Sequence, residues 1–347
     1  MNEFTSFRHN PGIDPTLHLW GWEIPIYLFL GGLVAGLMII SGVRLLVMRP
    51  HERQALVCCT VGPLLGLVLL SLGMLALFLD LEHKLHVWRL YLTFQVTSPM
   101  SWGSWILLLV YPALAANALA HLPEAIPALA KRFPALVQWS DFILARPRLV
   151  IGIGFSNMAV GVALGLYTGI LLSALAARPL WNSSLLGPLF LFSGLSTAAA
   201  VLHGILVLTA AEGERPAYAD FLLSMLARWS QARPLDTRVA PTLARADNSF
   251  LTIELGLLGL YLVGLVTSTA AHQGAAQLLL GGAYAAPFWV FVVGTGIVLP
   301  LLLQFLELQH RIRHTLVPAV LVVLGGFALR VILVAAGQAS HWVAAAP

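Results

Sequence analysis

Residues 22–47 read WEIPIYLFLGGLVAGLMIISGVRLLV. One acid, Glu23, opens the stretch and one base, Arg44, stands near its end; the residues between are apolar, aromatic or small. A helix needs about 20 such residues to cross the hydrocarbon core of a bilayer. The stretch lacks the apolar–polar alternation of a lipid-facing barrel strand, so it reads as a spanning helix. Working outward, seven further stretches share its character: 55–81, 102–120, 150–176, 185–211, 250–271, 286–306 and 315–337. The expected fold class is therefore an all-α integral membrane protein with eight transmembrane helices.

Composition agrees. The 347 residues are 59% hydrophobic and only 10% charged, with mean hydropathy +0.86. Soluble domains carry about 25% charged residues. These values exclude a soluble globular enzyme, a disordered chain and a nucleic-acid binder. The sequence pI of about 9.3 reflects a net charge of +4, which basic cytoplasmic loops explain. The two cysteines, Cys58 and Cys59, are adjacent. That spacing suits neither a disulfide framework nor a zinc or iron–sulfur site, so no iron–sulfur cluster is expected in this protein. No basic region leads into a short apolar core before Trp20, and no cleaved signal peptide is expected.

Lysine and arginine orient the helices. Of 19 basic residues, 14 fall in one set of loops: those after helices 1, 3, 5 and 7. The opposite loops hold Arg8, Lys84, Arg89 and Arg178, and Arg330 lies within the last helix. Both termini are thus expected outside, on the periplasmic face of a bacterial inner membrane. The expected organisation is a periplasmic N-terminal segment (1–21), then four helices (22–176) with a fifth (to 211). A cytoplasmic linker (212–249), helices 6–8 (250–337) and a periplasmic tail (338–347) complete it. The linker separates two four-helix halves. Leu30–Gly36 in helix 1 and Phe192–Ala198 in helix 5 echo one another. The echo reads either as a parallel repeat or as the small residues that let membrane helices pack closely.

Ionisable residues within a bilayer are functional candidates by default, because each costs on the order of 2.5–3.5 kcal/mol at a helix centre. An outer group gathers His18, Trp20, Trp22 and Glu23 at the start of helix 1, Asp80 closing helix 2, and Trp102 opening helix 3. Tyr167 in helix 4 and Arg330 in helix 8 join it. Aromatic, carboxylate, imidazole and guanidinium groups together suit a flat ligand with two carbonyl oxygens, such as a quinone. Blander readings stand beside this one. The tryptophans fit an interfacial belt, Asp80 a helix end near water, and Arg330 a structural pairing. An inner group holds Asn117, Asn157, His203, Glu254, Gln304 and Glu307. His203, Glu254 and Arg330 could form a proton path; interhelical hydrogen bonding is the alternative. Only His203 lies well inside a span, so a bis-histidine haem is not expected. Walker, nucleophile-elbow and zinc signatures are missing too. The protein is not expected to be catalytic alone.

Four stretches together resemble the NrfD/PsrC family of membrane anchor subunits: Trp20–Gly32, Asp80–His83, Ser98–Trp105 and Arg330–Gln338. Tyr167-Thr168-Gly169 with Leu171-Leu172-Ser173 also fits. The resemblance implies two haem-free four-helix bundles with a quinone site at the periplasmic end of the first. By position, His18 or Glu23, Asp80 and Tyr167 match the family's quinone-site neighbourhood. The implied substrate is menaquinone or ubiquinone. The implied partners are a periplasmic iron–sulfur protein and, beyond it, a molybdopterin catalytic subunit or a multihaem cytochrome c. The run His83, Lys84, His86 is expected at the partner contact. Three functions follow: a quinone-reactive subunit of a respiratory oxidoreductase, a redox-linked proton-translocating subunit, or a passive anchor.

Overall fold

The computed structural model describes residues 20–47, 57–81, 83–175, 177–209, 240–309 and 315–342. The described residues are helical throughout, apart from the connections, with no strand. Eight helices are long and apolar enough to cross a membrane. They are α1 (Glu23–Val47), α2 (Val57–Asp80), α3 (Pro99–Ala125), α4 (Pro147–Ser173), α5 (Leu186–Thr209), α6 (Ala240–Val266), α7 (Ala285–Leu308) and α8 (Val317–Ala339). Proline begins α3 and α4 and lies in the first turn of α8, where its missing N–H costs no helix hydrogen bond. Pro63 and Pro112 lie inside α2 and α3, which membrane helices accommodate through neighbouring partners.

Helices α1 and α5 form the centre. About two thirds or more of the residues in the apolar stretches of these two are buried by other protein, against under a third for α4, α6 and α7. Helix α1 packs on α2, α4 and α5, and α3 closes against α2 and α4. Helix α5 packs on α6 and α8, and α7 lies against α8. The crossing of α1 and α5 runs through Gly32, Gly36 and Gly194. A β-carbon on Gly194 would collide with the Gly32 backbone, and one on Gly36 with the Gly194 carbonyl. The two similar stretches, 30–36 and 192–198, therefore meet each other. Their small residues serve close approach, as glycine does between membrane helices.

The two ends of this body are tied. The Trp20 N–H donates to Gln338 Oε1 (3.3 Å), and Gln338 Nε2 donates to the Trp20 carbonyl (3.2 Å). Trp20 stacks on Trp181 with ring centroids 5.2 Å apart. The Trp181 indole N–H donates to the Leu333 carbonyl at 2.8 Å. So the start of α1, the α4–α5 connection and the end of α8 share one face.

Most expected spans match within a few residues. The sixth does not: α6 runs Ala240–Val266 rather than 250–271. Arg245, Asp247, Asn248 and Ser249 gave its first turns the composition of a connection, yet they are helical. A separate helix, Ala270–Leu280, follows after a break at 267–269. Part of α7 is also unusual, because Phe288–Val298 is π-helical.

Candidate functional site

The first polar centre lies at the face that carries Trp20. Glu23 begins α1, and its carboxylate folds back over Gly21, where a β-carbon would strike it. Asp80 ends α2, half-buried, within electrostatic reach of Glu23. Two carboxylates from different helices thus share one corner. One turn deeper, Tyr27 is 2% exposed. Its ring packs over Gly73 of α2, and its buried hydroxyl makes no close, well-aligned hydrogen bond but interacts with the Tyr167 hydroxyl. Tyr167 of α4 is 6% exposed, and its phenol interacts electrostatically with that of Tyr27. The hydroxyl end of Tyr167 fills the space above Gly103 of α3, where a β-carbon would overlap it. Glycine at 103 is therefore a requirement of Tyr167's position.

Tyr91 reaches the same pair from the short helix Arg89–Leu92, outside the spans. Its phenol is pushed up from the ordinary tyrosine value by burial and then by neighbouring Tyr111. Tyr111 in turn lies 3.4 Å from the Ser71 hydroxyl. Phenols from three spanning helices and one surface helix are therefore linked in one cluster, and the Glu23 and Asp80 carboxylates stand at the same end. Phenols donate hydrogen bonds, and a carboxylate can exchange protons with water.

The second polar centre surrounds Arg330, which is 0% exposed. Its Nη1 donates to Ser193 Oγ (2.6 Å) and the Gly326 carbonyl (2.8 Å), and its Nη2 to the Phe190 carbonyl (3.2 Å). The guanidinium also faces the Phe190 ring at 5.0 Å. Gly32 gives it room, since a β-carbon there would stand 2.9 Å from Nη2. Glu254 of α6 accepts from Ser196 Oγ at 3.2 Å and lies within reach of Ser193 and Arg330. Asp247, two turns away on the same face of α6, accepts from Gln304 Nε2 at 2.5 Å. One turn along α7, Glu307 accepts from the Thr315 N–H (3.0 Å) and hydroxyl (3.2 Å). Polar groups thus run from Arg330 toward the opposite face.

The two expected groups are rearranged in part. Glu23 and Asp80 lie within electrostatic reach of each other, and Tyr167 lies beside Tyr27, one turn along α1 from Glu23. Arg330 and Glu254, assigned to opposite faces, interact electrostatically and are linked through Ser193 and Ser196 of α5. Trp102 is set apart: it is 49% exposed, and its indole N–H donates to the Val96 carbonyl. His203 is buried on α5, seven residues beyond Ser196, about 10 Å along the helix. The described hydrogen bond of Glu254 goes to Ser196 instead. His18 lies outside the described residues. Asn117 and Asn157 are structural: Asn117 Nδ2 donates to Ser41 Oγ, and Asn157 Nδ2 to the Ala113 carbonyl.

Sequence reasoning overlooked Tyr27 and Asp247. Tyr27 follows Glu23 by four residues, one helical turn on the same face, and that spacing was the available signal. Asp247 was hidden by its polar neighbours.

A sequence profile of the family described as "Polysulphide reductase, NrfD" matches residues 10–341. The protein belongs to the NrfD family. Among relatives, the C subunit of polysulfide reductase from Wolinella succinogenes is 30% identical, over 92% of the sequence described here and 94% of its own length. Protein NrfD of Escherichia coli is 31% identical over 92% and 95%. The NrfD homologue of Haemophilus influenzae is 26% identical over 95% and 96%. Family membership and eight spanning helices make this a multi-pass membrane protein. In this NrfD-family protein, the match extends over both polar centres, Tyr27 to Tyr167 and Asp247 to Arg330 alike.

Proposed function

We propose that this protein is the quinone-reactive membrane subunit of a respiratory oxidoreductase, arranged as two four-helix bundles in a bacterial inner membrane. The observation that carries the proposal is the buried pair of phenols, Tyr27 and Tyr167, whose hydroxyls interact with each other while Tyr27 makes no close, well-aligned hydrogen bond. A buried donor left unmet costs about 1–3 kcal/mol, and a quinone carbonyl oxygen would satisfy it. Oxidising one quinol releases two electrons and two protons. Tyr27 and Tyr167 would hold the ring oxygens, and Asp80 with Glu23 would pass the protons to the periplasm. His18 is a candidate for the same site.

The protein is proposed to work without haem, so the electrons would go directly to an iron–sulfur partner. That partner would serve a molybdopterin subunit or a multihaem cytochrome c. The surface between α2 and α3 supports docking: outside the spans, Leu85, Leu92 and Val96 are 88%, 73% and 66% exposed. Contiguous apolar surface of this kind marks interaction sites. His83, Lys84 and His86 flank it. The test is quinol-linked turnover of the purified complex. Tyr167→Phe should lower the rate by about a hundredfold. Full turnover in Tyr167→Phe and Asp80→Asn, with the partner still bound, would overturn the site.

A second reading rests on the column from Arg330 through Glu254 and Asp247 to Gln304. Buried ionisable groups in series are the form a proton relay takes in membranes. This reading expects redox turnover in sealed vesicles to move protons, and expects Glu254→Gln to abolish that movement. Unchanged acidification in that variant would remove it.

A further inference from the structure

A cavity of about 330 Å³ opens at the face opposite the tyrosine site, between the end of α1, the start of α2, α5 and the first turns of α6. Ile39, Ile40 and Val43 of α1, Leu195 of α5 and Phe250 of α6 make its walls. Its polar members among the described residues are Arg44, Thr242 and the Cys58 thiol, with no carboxylate among them. The two tyrosine-site carboxylates stand at the other end of α1 and α2, and the Glu254 carboxylate is bonded to Ser196.

Arg44 lies in the last turn of α1. Its Nε is buried and has no hydrogen-bond partner. Guanidinium keeps its charge at any physiological pH, so it cannot escape the cost of burial by deprotonating. Beside it, Val43 is 43% and Val47 67% exposed, so the cavity opens sideways at the level of the lipid. Ile39 to Arg44 spans about 8 Å of helix, which offers an apolar track ending in a cation. The exposed Thr242 places a hydroxyl at the same end.

These features select one ligand chemistry. A soluble anion would leave the apolar walls unused. A neutral apolar molecule would leave Arg44 unmet. A phosphodiester joined to an acyl tail meets both. The distribution of basic residues puts this end in the cytoplasmic leaflet, where anionic lipids attract each basic side chain by about 1 kcal/mol. We infer that the groove holds one anionic glycerophospholipid of the cytoplasmic leaflet, with its phosphate on Arg44 and Thr242 and an acyl tail along Ile40 and Leu195. The lipid would fill the seam between α1 and α6.

The test is lipid retention by the full-length protein in its purified complex, measured by native mass spectrometry after exchange into nanodiscs of equal phosphatidylglycerol and phosphatidylcholine. One phosphatidylglycerol per protein should survive delipidation. Arg44→Gln should lower its retention about fivefold, the equivalent of one basic contact. Val43→Trp should displace it by filling the groove while leaving Arg44 in place. Arg148→Gln, at an exposed arginine on the same face, should change nothing. The inference fails if Arg44→Gln and Val43→Trp both retain the lipid as the parent does. It also fails if phosphatidylcholine or a quinone is held equally well, or if excess inorganic phosphate alone displaces the bound lipid. Quinol turnover is read separately, so failure of this site leaves the tyrosine-site proposal untouched.

Discussion

Arg330 of α8 and Glu254 of α6 are linked through one turn of α5. Ser193 accepts from the guanidinium at 2.6 Å, and Ser196 donates to the carboxylate at 3.2 Å. Both residues are almost wholly buried, so these serines and backbone carbonyls stand in for the water each would otherwise contact. The pair joins three helices around a charge that cannot neutralise itself on the arginine side.

Removing one member should therefore cost more than its contacts alone. Arg330→Met and Glu254→Gln are each expected to destabilise the protein by about 1–3 kcal/mol, the cost of leaving buried hydrogen-bond partners unmet. The double variant should lose less than the sum, with a coupling of about 0.5–3 kcal/mol. Thermal unfolding of the four proteins in one detergent measures this. Simple additivity would show that the two side chains do not sense each other.

Gly103 makes a separate prediction. A β-carbon at this position overlaps the Tyr167 hydroxyl end, so Gly103→Ala must tilt the phenol away. A misplacement of about 1 Å can cost a hundredfold in rate, and quinol turnover should fall by about that factor. Gly152→Ala is the control, because nothing lies within 4 Å of a β-carbon there, and it should turn over normally. Equal activity of the two variants would detach Tyr167 from the chemistry.

The eight spans were legible because each carries an unbroken apolar run, and length alone separates such a run from a connection. The nearness of Glu23 and Asp80 was legible once helix parity assigned both to the same face. What failed was depth. Placing the start of α6 at 250 rather than Ala240 shifts Glu254 by about 15 Å along the helix axis, enough to move it from the mid-membrane to the inner face. The shift arose because Asp247 reads as a linker residue in one dimension. In three dimensions its carboxylate is buried against Gln304 of α7. Pairing of this kind joins residues 57 apart in sequence, and no local pattern encodes it. Trp102 failed for the converse reason: an aromatic at a helix start is compatible with a pocket or with lipid, and only packing decides.

Tyr27→Phe should move stability and binding in opposite directions. The hydroxyl is buried with only the Tyr167 phenol as a loosely placed partner, so deleting it relieves a poorly met polar group and should stabilise the quinone-free protein by about 1 kcal/mol. The same deletion removes a hydrogen bond to the bound quinone. Affinity for a quinone analogue should then fall about fivefold to tenfold, matching a bond of roughly 1–1.5 kcal/mol. Unfolding midpoints and analogue titrations, both on the purified complex, give the two numbers. A variant that is stabilised yet binds as tightly as the parent would place the quinone elsewhere.

Orientation is testable with the native cysteines left in place, since Cys58 and Cys59 are both buried. Lys84 lies between α2 and α3, and Arg132 between α3 and α4; both are exposed. The excess of basic residues after α1, α3, α5 and α7 assigns Lys84 to the periplasm and Arg132 to the cytoplasm. A membrane-impermeant maleimide added to cells with a permeable outer membrane should label Lys84→Cys at once. It should label Arg132→Cys only after the inner membrane is opened. The reverse pattern would turn the protein over. The tyrosine cluster would then exchange protons with the cytoplasm, and the column from Arg330 through Asp247 would lead outward.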